Sequence, residues 1–296
     1  VKIYGAKELV PAFEVFDAVS RGTAQMGHGS AYYWKGKKAL LQFFSTVPFG
    51  MTAQEMNGWM YHGGGLELWQ KHYAEFGLIP APAGNTGVQM GGWFNKEIES
   101  ADDLKGLKMR IPGLGGDVMA KLGASPVALP GGQIYENLVS GAIDATEWVG
   151  PFNDYFMKFY EAAKYYYWPG MHEPGSQLAL GMNASWWGGL SKSHQAIIQA
   201  ACNEENSRTM AETNANNGTF LNKLITENGV ELREFNDDIY DAFGEAAQEV
   251  AEEARSHSDL AKRIFDSHDA ARDDVGKWMK LADIGYSLKR NRVLDL

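Results

Sequence analysis

The sequence predicts an α/β fold in which strands and helices alternate and helices cover both faces of the sheets. Three observations carry this. Short apolar or aromatic runs interleave with segments of helical periodicity along most of the 296 residues, the pattern of sheets flanked by helices. Glycines crowd the junctions of the first 190 residues, at Gly63–Gly65, Gly91–Gly92, Gly113 with Gly115–Gly116, Gly131–Gly132 and Gly188–Gly189. Apolar residues at 45 % and charged residues at 22 % are globular values, enough for one large core or two domains of about 150 residues.

Taken in order, strands are expected at Leu40–Phe44, Leu78–Pro82, Val88–Phe94, Leu107–Ile111, Ser125–Leu129, Ala142–Trp148, Lys164–Trp168, Gln177–Asn183 and Val230–Phe235. The opening Val1-Lys2-Ile3-Tyr4 reads as a strand already in progress and has neither the basic nor the apolar region of a signal peptide. Helical spacing marks Thr52–Tyr61, Glu67–Phe76, Gly115–Leu122, Ile134–Val139 and Asn153–Tyr160. Ser100 caps the turn at Asp102-Asp103-Leu104, while Ser191 opens a long helix over Ser193–Leu224 that Gly229 ends. Such interleaving predicts parallel strands.

Beyond residue 236 the character changes. Asn236 or Asp237 caps a helix to about His257, and another runs from Ser258 to about Asp283. In the latter, Leu260, Ile264, Ala271, Val275, Trp278 and Ala282 form one apolar stripe. That stripe needs cover from the chain's own body or from a second copy, so dimerisation is one expectation.

Composition excludes several functions. With 27 basic against 37 acidic residues the net charge is −10, and no basic stripe exists to displace counterions from a nucleic acid. The single cysteine, Cys202, excludes an intrachain disulfide and reads as a small residue packed in a helix. No apolar run approaches the roughly 18 residues of a membrane span. Gly-Leu-Gly-Gly at 113–116 follows a strand and opens a helix, but it lacks the spacing of a phosphate-binding loop. Close strand–helix packing explains it instead.

Catalytic motifs are absent: there is no Gly-x-Ser-x-Gly and no His-Glu-x-x-His. His62, His72 and His194 read as helix-surface residues, and His257 and His268 belong to the charged tail. His172 reads as a solvated turn residue, with general base as the alternative.

Polar residues at strand ends are more informative, because open α/β sheets bind ligands beyond the carboxyl ends of their strands. Arg110 interrupts an apolar strand stopped by Pro112, and a guanidinium there requires a carboxylate, structural or from a ligand. Glu147 ends another strand before Gly150-Pro151; Glu173 follows the aromatic run Tyr165–Trp168; Gln89 sits in a glycine-flanked strand. Two carboxylates and an amide oxygen form a hard cage suited to Na⁺ or Ca²⁺ and poor for zinc. Arg110 and such an ion would together clamp a small carboxylate. The competing reading makes Glu147 and Glu173 exposed loop carboxylates. Tyr32, Tyr33, Trp34, Trp93, Trp148, Phe152 and Tyr155 supply aromatic surface for a pocket wall.

At these residues the sequence resembles a known family. Asn-Thr-Gly-Val-Gln-Met-Gly-Gly-Trp-Phe (85–94) and Leu-Lys-Gly-Leu-Lys-Met-Arg-Ile-Pro-Gly (104–113) are similar to the solute-binding proteins of TRAP transporters, the tripartite ATP-independent periplasmic carriers. Val-Ala-Leu-Pro-Gly-Gly-Gln-Ile-Tyr-Glu-Asn-Leu-Val-Ser-Gly-Ala-Ile-Asp-Ala-Thr-Glu-Trp-Val-Gly-Pro (127–151) narrows the resemblance. With Tyr-Tyr-Tyr-Trp-Pro-Gly-Met-His-Glu-Pro-Gly (165–175), it resembles the branch that binds 2-oxo acids or lactate as a metal complex.

The resemblance implies that Arg110 pairs with the ligand carboxylate. Gln89, Glu147 and Glu173 would coordinate the cation, joined by the backbone carbonyl of Trp148. The ion would be Na⁺, with Ca²⁺ as the alternative. Gln89 and the Trp148 ring would also touch the ligand, with Tyr33 and Asn85 near its 2-oxygen. The implied fold is a two-domain, type II-like periplasmic binding protein, each domain a mixed sheet flanked by helices, with a hinge-spanning helix and a C-terminal helical extension. Residues 1–107 plus 183–229 would form domain I, 108–182 plus 230–257 domain II, and 258–296 a dimerisation arm. Members begin with a further strand and helix ahead of Val-Lys-Ile. Function would be periplasmic capture of a small 2-oxo or 2-hydroxy monocarboxylate such as pyruvate for the TRAP membrane subunits, without catalysis. The alternative is a metal-dependent lyase or hydrolase using His172 or Glu173 as base.

Overall fold

The structure, a computed structural model, describes residues 1–295. Its strands are β1 (Met26–Ser30), β2 (Leu78–Asn85), β3 (Gly92–Phe94), β4 (Lys108–Arg110), β5 (Ser125–Val127), β6 (Ala145–Thr146), β7 (Tyr165–Trp168), β8 (Gln177–Asn183) and β9 (Glu231–Glu234). They form two sheets, ordered β1-β8-β2 and β5-β4-β6-β3-β7-β9. The α-helices are α1 (Val15–Ser20), α2 (Ala53–His62), α3 (Gly65–Ala74), α4 (Gly113–Lys121), α5 (Gly131–Val139), α6 (Pro151–Met157), α7 (Ala184–Gly188), α8 (Lys192–Asn228), α9 (Asp237–Ser256), α10 (Asp259–Met279) and α11 (Gly285–Leu294).

The expected parallel sheets need correction. In the first sheet β8 is antiparallel to both β1 and β2. In the second, β4 runs parallel to β5 and β6, β3 antiparallel to β6 and β7, and β7 parallel to β9. The physical reason is that the chain changes sheets. It leaves β2 at Asn85, enters the second sheet at Gly92, and returns between Trp168 and Gln177. Alternation with helices implies right-handed parallel crossovers only when successive strands stay in one sheet. Gly92–Phe94, expected in domain I, accordingly pairs in the second sheet.

Three local expectations also change. Leu40–Phe44 lies in a 3-10 helix, Ala39–Phe44, because all five side chains are buried and a strand would send alternate ones to opposite faces. Val1–Tyr4 is not a strand, and Val1 and Ile3 are exposed. Strand β1 escaped the sequence reading because Met-Gly-His-Gly-Ser carries almost no β-forming side chains. Its glycine is required by packing: a Cβ on Gly27 would lie 2.5 Å from Val15 Cγ1 on α1.

Helix α8 begins at Ser191, whose side chain accepts from the His194 N–H, and ends at Gly229 with φ 67°. It packs against β2 of the first sheet and against α6 beside the second. Cys202 is buried there with Ala81, Ala83 and Met182, as a small packed residue. A large core joins Phe43, Phe44, Trp59 and Trp69, with Phe44 stacked between the two indoles. A second core gathers Trp93, Ile134, Phe159, Tyr166 and Leu224.

The C-terminal helix is longer than expected, passing through one π turn at Lys280–Ile284 into α11. Its first half covers the body: Ile264 is buried, and Val275 approaches Gly58 of α2. Its distal apolar residues are open, with Trp278 at 65 %, Leu281 at 76 % and Leu288 at 67 % exposure. Leu296, the end of the expected arm, lies outside the described residues. Two histidines are corrected. His72 is buried and stacks on Phe44, and His268 is buried edge-on to Trp59.

Candidate functional site

The site is built where β4, β6 and the turn after β7 end. Arg110 closes β4, just before Pro112 caps α4, and is 1 % exposed. Its Nη1 donates to the Glu147 carboxylate, and also to the Glu147 carbonyl at 3.2 Å. Its Nε donates to the Leu129 carbonyl at 3.2 Å and its Nη2 to the Tyr33 hydroxyl at 2.9 Å. The guanidinium also lies over the Trp148 ring, 5.3 Å from its centroid. Of its five N–H groups, one on Nη2 has no partner among the described residues.

Glu147 and Glu173 are 1 % and 2 % exposed, so the exposed-loop reading fails. The second oxygen of Glu147 meets His172 Nε2 at 3.3 Å. Glu173 accepts from Gln89 Nε2 at 2.8 Å, and its backbone carbonyl accepts the Gln89 N–H at 3.1 Å. Gln89 Nε2 also donates to Thr86 Oγ1 at 3.1 Å, whereas Gln89 Oε1 is buried without a partner. Ligand-capable atoms of Glu147, His172 and Glu173 all lie within 4.8 Å of one another.

Arg110, Gln89, Glu147, Trp148, Glu173 and Tyr33 are therefore brought together. Asn85 is not joined to them by a hydrogen bond. It is buried, its Oδ1 accepts the Gly87 N–H at 2.9 Å, and its Nδ2 is without a partner. His172, expected as a solvated turn residue, is buried instead. The signal was Gly115: a Cβ there would stand 2.7 Å from the His172 Cβ, so the glycine exists to admit the histidine.

Electrostatics follow from burial. Burial and the charge of Glu147 push Glu173 up to about 7. Burial pulls His172 down, but the hydrogen bond and charge of Glu147 outweigh it and leave it raised. Arg110 loses solvation too, yet Glu147 holds it charged, above its usual value. Two carboxylates beside one guanidinium leave a site that attracts a cation, and the free Nη2–H attracts an anion.

Trp148 depends on a second glycine. A Cβ on Gly131 would lie 2.5 Å from its ring. Gly131→Ala is expected to drive the indole off Arg110 and weaken ligand binding by roughly 3- to 30-fold, the range of a desolvated cation–π contact. Calorimetric affinity beside an unchanged far-UV spectrum checks this.

The profile of the bacterial extracellular solute-binding proteins, family 7 (DctP), matches residues 1–257. The chain belongs to that family. It is a TRAP solute-binding protein, extracytoplasmic, and a carrier of solutes rather than an enzyme. The lyase or hydrolase alternative, with His172 or Glu173 as base, is thereby overturned. The chain is 44 % identical over 283 residues to the monocarboxylate 2-oxoacid-binding periplasmic protein of Nostoc sp., covering 96 % of this solute-binding protein and 78 % of that one. A TRAP solute-binding protein from Bordetella bronchiseptica superposes with a TM-score of 0.97 at 35 % identity, over 99 % of this chain and 87 % of its own. That structure is a mixed-occupancy dimer with copurified calcium and picolinate in one site and an apo site. One from Pseudoalteromonas atlantica, with bound sodium and pyruvate, superposes at 0.90 and 42 % identity, over 93 % and 84 %. These matches carry the two-sheet α/β architecture of solute-binding proteins. No helix among the described residues is long and apolar enough to cross a membrane.

Proposed function

We propose that this solute-binding protein captures a small 2-oxo or 2-hydroxy monocarboxylate, pyruvate-like, together with a hard cation, and presents it to TRAP membrane components. One observation carries the reading: a buried Arg110 with an unused N–H stands beside two buried glutamates and a Gln89 oxygen without a partner. The donor set fits the cation, since carboxylate and amide oxygens suit Na⁺ or Ca²⁺. Glu147, Glu173, the Gln89 side chain and the Trp148 carbonyl would hold it. The ion supplies positive charge opposite the ligand's second oxygen. Arg110 and Tyr33 would orient the carboxylate, with the Trp148 ring as wall. Relatives bind pyruvate with sodium, or picolinate with calcium; both ligands set a second donor next to a carboxylate.

With Na⁺ and neutral His172, the loaded site carries one net negative charge. With Ca²⁺ it is neutral. Sodium, found with pyruvate in one relative, is the first choice and calcium, found with picolinate in another, the alternative. The two sheets would act as lobes closing over the ligand, with the chain passing between them at 86–91, at 169–176 and through α8 into β9. The arm 258–296, with Trp278, Leu281 and Leu288 open, would pair with a second copy.

Thermal denaturation across a panel of small acids tests the reading. Pyruvate is expected to raise the midpoint strongly only when Na⁺ or Ca²⁺ is present. An equal rise with succinate, or with pyruvate in cation-free buffer, would contradict it.

A further inference from the structure

Asp154 is a buried carboxylate that the ligand site does not use directly. Four donors converge on it. Its Oδ1 accepts the backbone N–H groups of Val149 at 3.0 Å and Gly150 at 3.1 Å. Its Oδ2 accepts Trp93 Nε1 at 2.9 Å and the Tyr166 hydroxyl at 2.8 Å. Those two rings are fully buried in the second core and stack with centroids 4.0 Å apart. The carboxylate is therefore pinned from one side by a rigid aromatic pair, and on the other side it grips the backbone leading out of β6.

The gripped peptide matters. In a trans peptide the N–H and C=O point in opposite directions. Holding the Val149 N–H thus turns the Trp148 carbonyl away from Asp154. Among the described residues that carbonyl accepts no hydrogen bond, while both of its neighbours do. The Glu147 carbonyl takes Arg110 Nη1 at 3.2 Å and Thr146 Oγ1 at 2.9 Å; the Val149 carbonyl takes the Met90 N–H at 3.0 Å. One acceptor in this segment is left open, and the anchor fixing its direction is a buried side chain held by the second core, against which Trp148 also packs.

We propose that Asp154 is a positioning residue for the cation: by holding the Val149 N–H it aims the Trp148 carbonyl and fixes the Glu147-Trp148 segment against the other oxygen donors. The inference rests on the cation reading given above. Asp154 itself contacts neither the ion nor the ligand, so its loss acts only through the Glu147-Trp148 segment that it holds.

Calorimetric titration of the full chain with Ca²⁺ and with Na⁺, in the absence of any acid, tests it. Asp154→Ala is expected to weaken the cation at least about tenfold, the usual cost of losing an outer-shell partner. Asp154→Asn keeps an oxygen for the two N–H groups and is expected to restore most of the affinity. Tyr166→Phe removes a donor to the other oxygen; it is expected to lower the melting temperature yet leave cation affinity near wild type. Should Asp154→Ala fail to fold, the same change in a Trp93→Phe, Tyr166→Phe background leaves no side-chain donor orphaned and carries the test. Wild-type cation affinity in a folded Asp154→Ala protein overturns the proposal, as does an equal loss in Tyr166→Phe. A wild-type chain that binds neither cation, with or without pyruvate, overturns the function proposed above, and this inference with it.

Discussion

Arg110→Ala is expected to abolish measurable carboxylate binding. Arg110 is fully buried, and four of its N–H groups hold Glu147, Leu129 and Tyr33, leaving the fifth for the ligand. Truncating one partner of a buried charge pair costs about 2–5 kcal/mol, roughly 30- to 5,000-fold in affinity. The change also leaves Glu147 buried beside Glu173 with only His172 as counter-charge, so some loss of stability accompanies it. Arg110→Lys separates the two effects. It keeps the charge and spares the fold, but a point-like ammonium cannot reproduce the fork, and binding is expected to fall nearly as far. Calorimetry with pyruvate on both folded variants decides; near-normal affinity in either removes Arg110 from the site.

Glu173→Gln is expected to weaken the cation by roughly two orders of magnitude, because one of two carboxylates in the cage is lost. The same residue sets a pH dependence. In the cation-free protein burial and Glu147 raise Glu173 from 4.5 to about 7. Between those values the native state holds a proton that the unfolded chain has released, so stability is fully present below about 4.5 and is lost as pH rises through about 7. His172, raised by Glu147 against the pull of burial, adds the same sign. Asp154, pushed by burial to about 7, adds a further background of that sign. A cation binds the ionised carboxylate, so its stabilising effect grows over the same range. Melting temperatures from pH 5 to pH 8 are expected to fall without cation and to flatten with Ca²⁺. In Glu173→Gln the Asp154 and His172 background remains while the cation no longer flattens the curve. A cation response independent of pH in the wild type would remove Glu173 from the ion.

The polar centre was largely legible in the sequence because its members break local rules. Arg110 ends β4 between apolar neighbours, Glu147 directly follows β6, and Gln89 and Glu173 lie in glycine- or proline-containing crossovers between the sheets, not in strands. Burial there forces pairing, which the structure shows for Arg110 with Glu147 and Gln89 with Glu173. His172 was illegible because its burial depends on Gly115, 57 positions earlier in the chain, making room for it. Asn85 illustrates the reverse: it is buried, but its side chain serves a local turn. Sheet direction was lost for the same long-range reason, since nothing local in β8 reveals that both neighbours in its sheet run opposite to it. Glycine-rich β1 carries no β-propensity and is a strand only because β8 pairs with it.

The most direct test is isothermal titration of pyruvate into the protein, first after exhaustive chelation and removal of Na⁺, then with Na⁺ or Ca²⁺ restored. One-to-one binding is expected with either ion restored, and none detectable without. Undiminished binding in the cation-free protein would show that Arg110 suffices and that Glu147 and Glu173 are structural, contradicting the cation-bridged site.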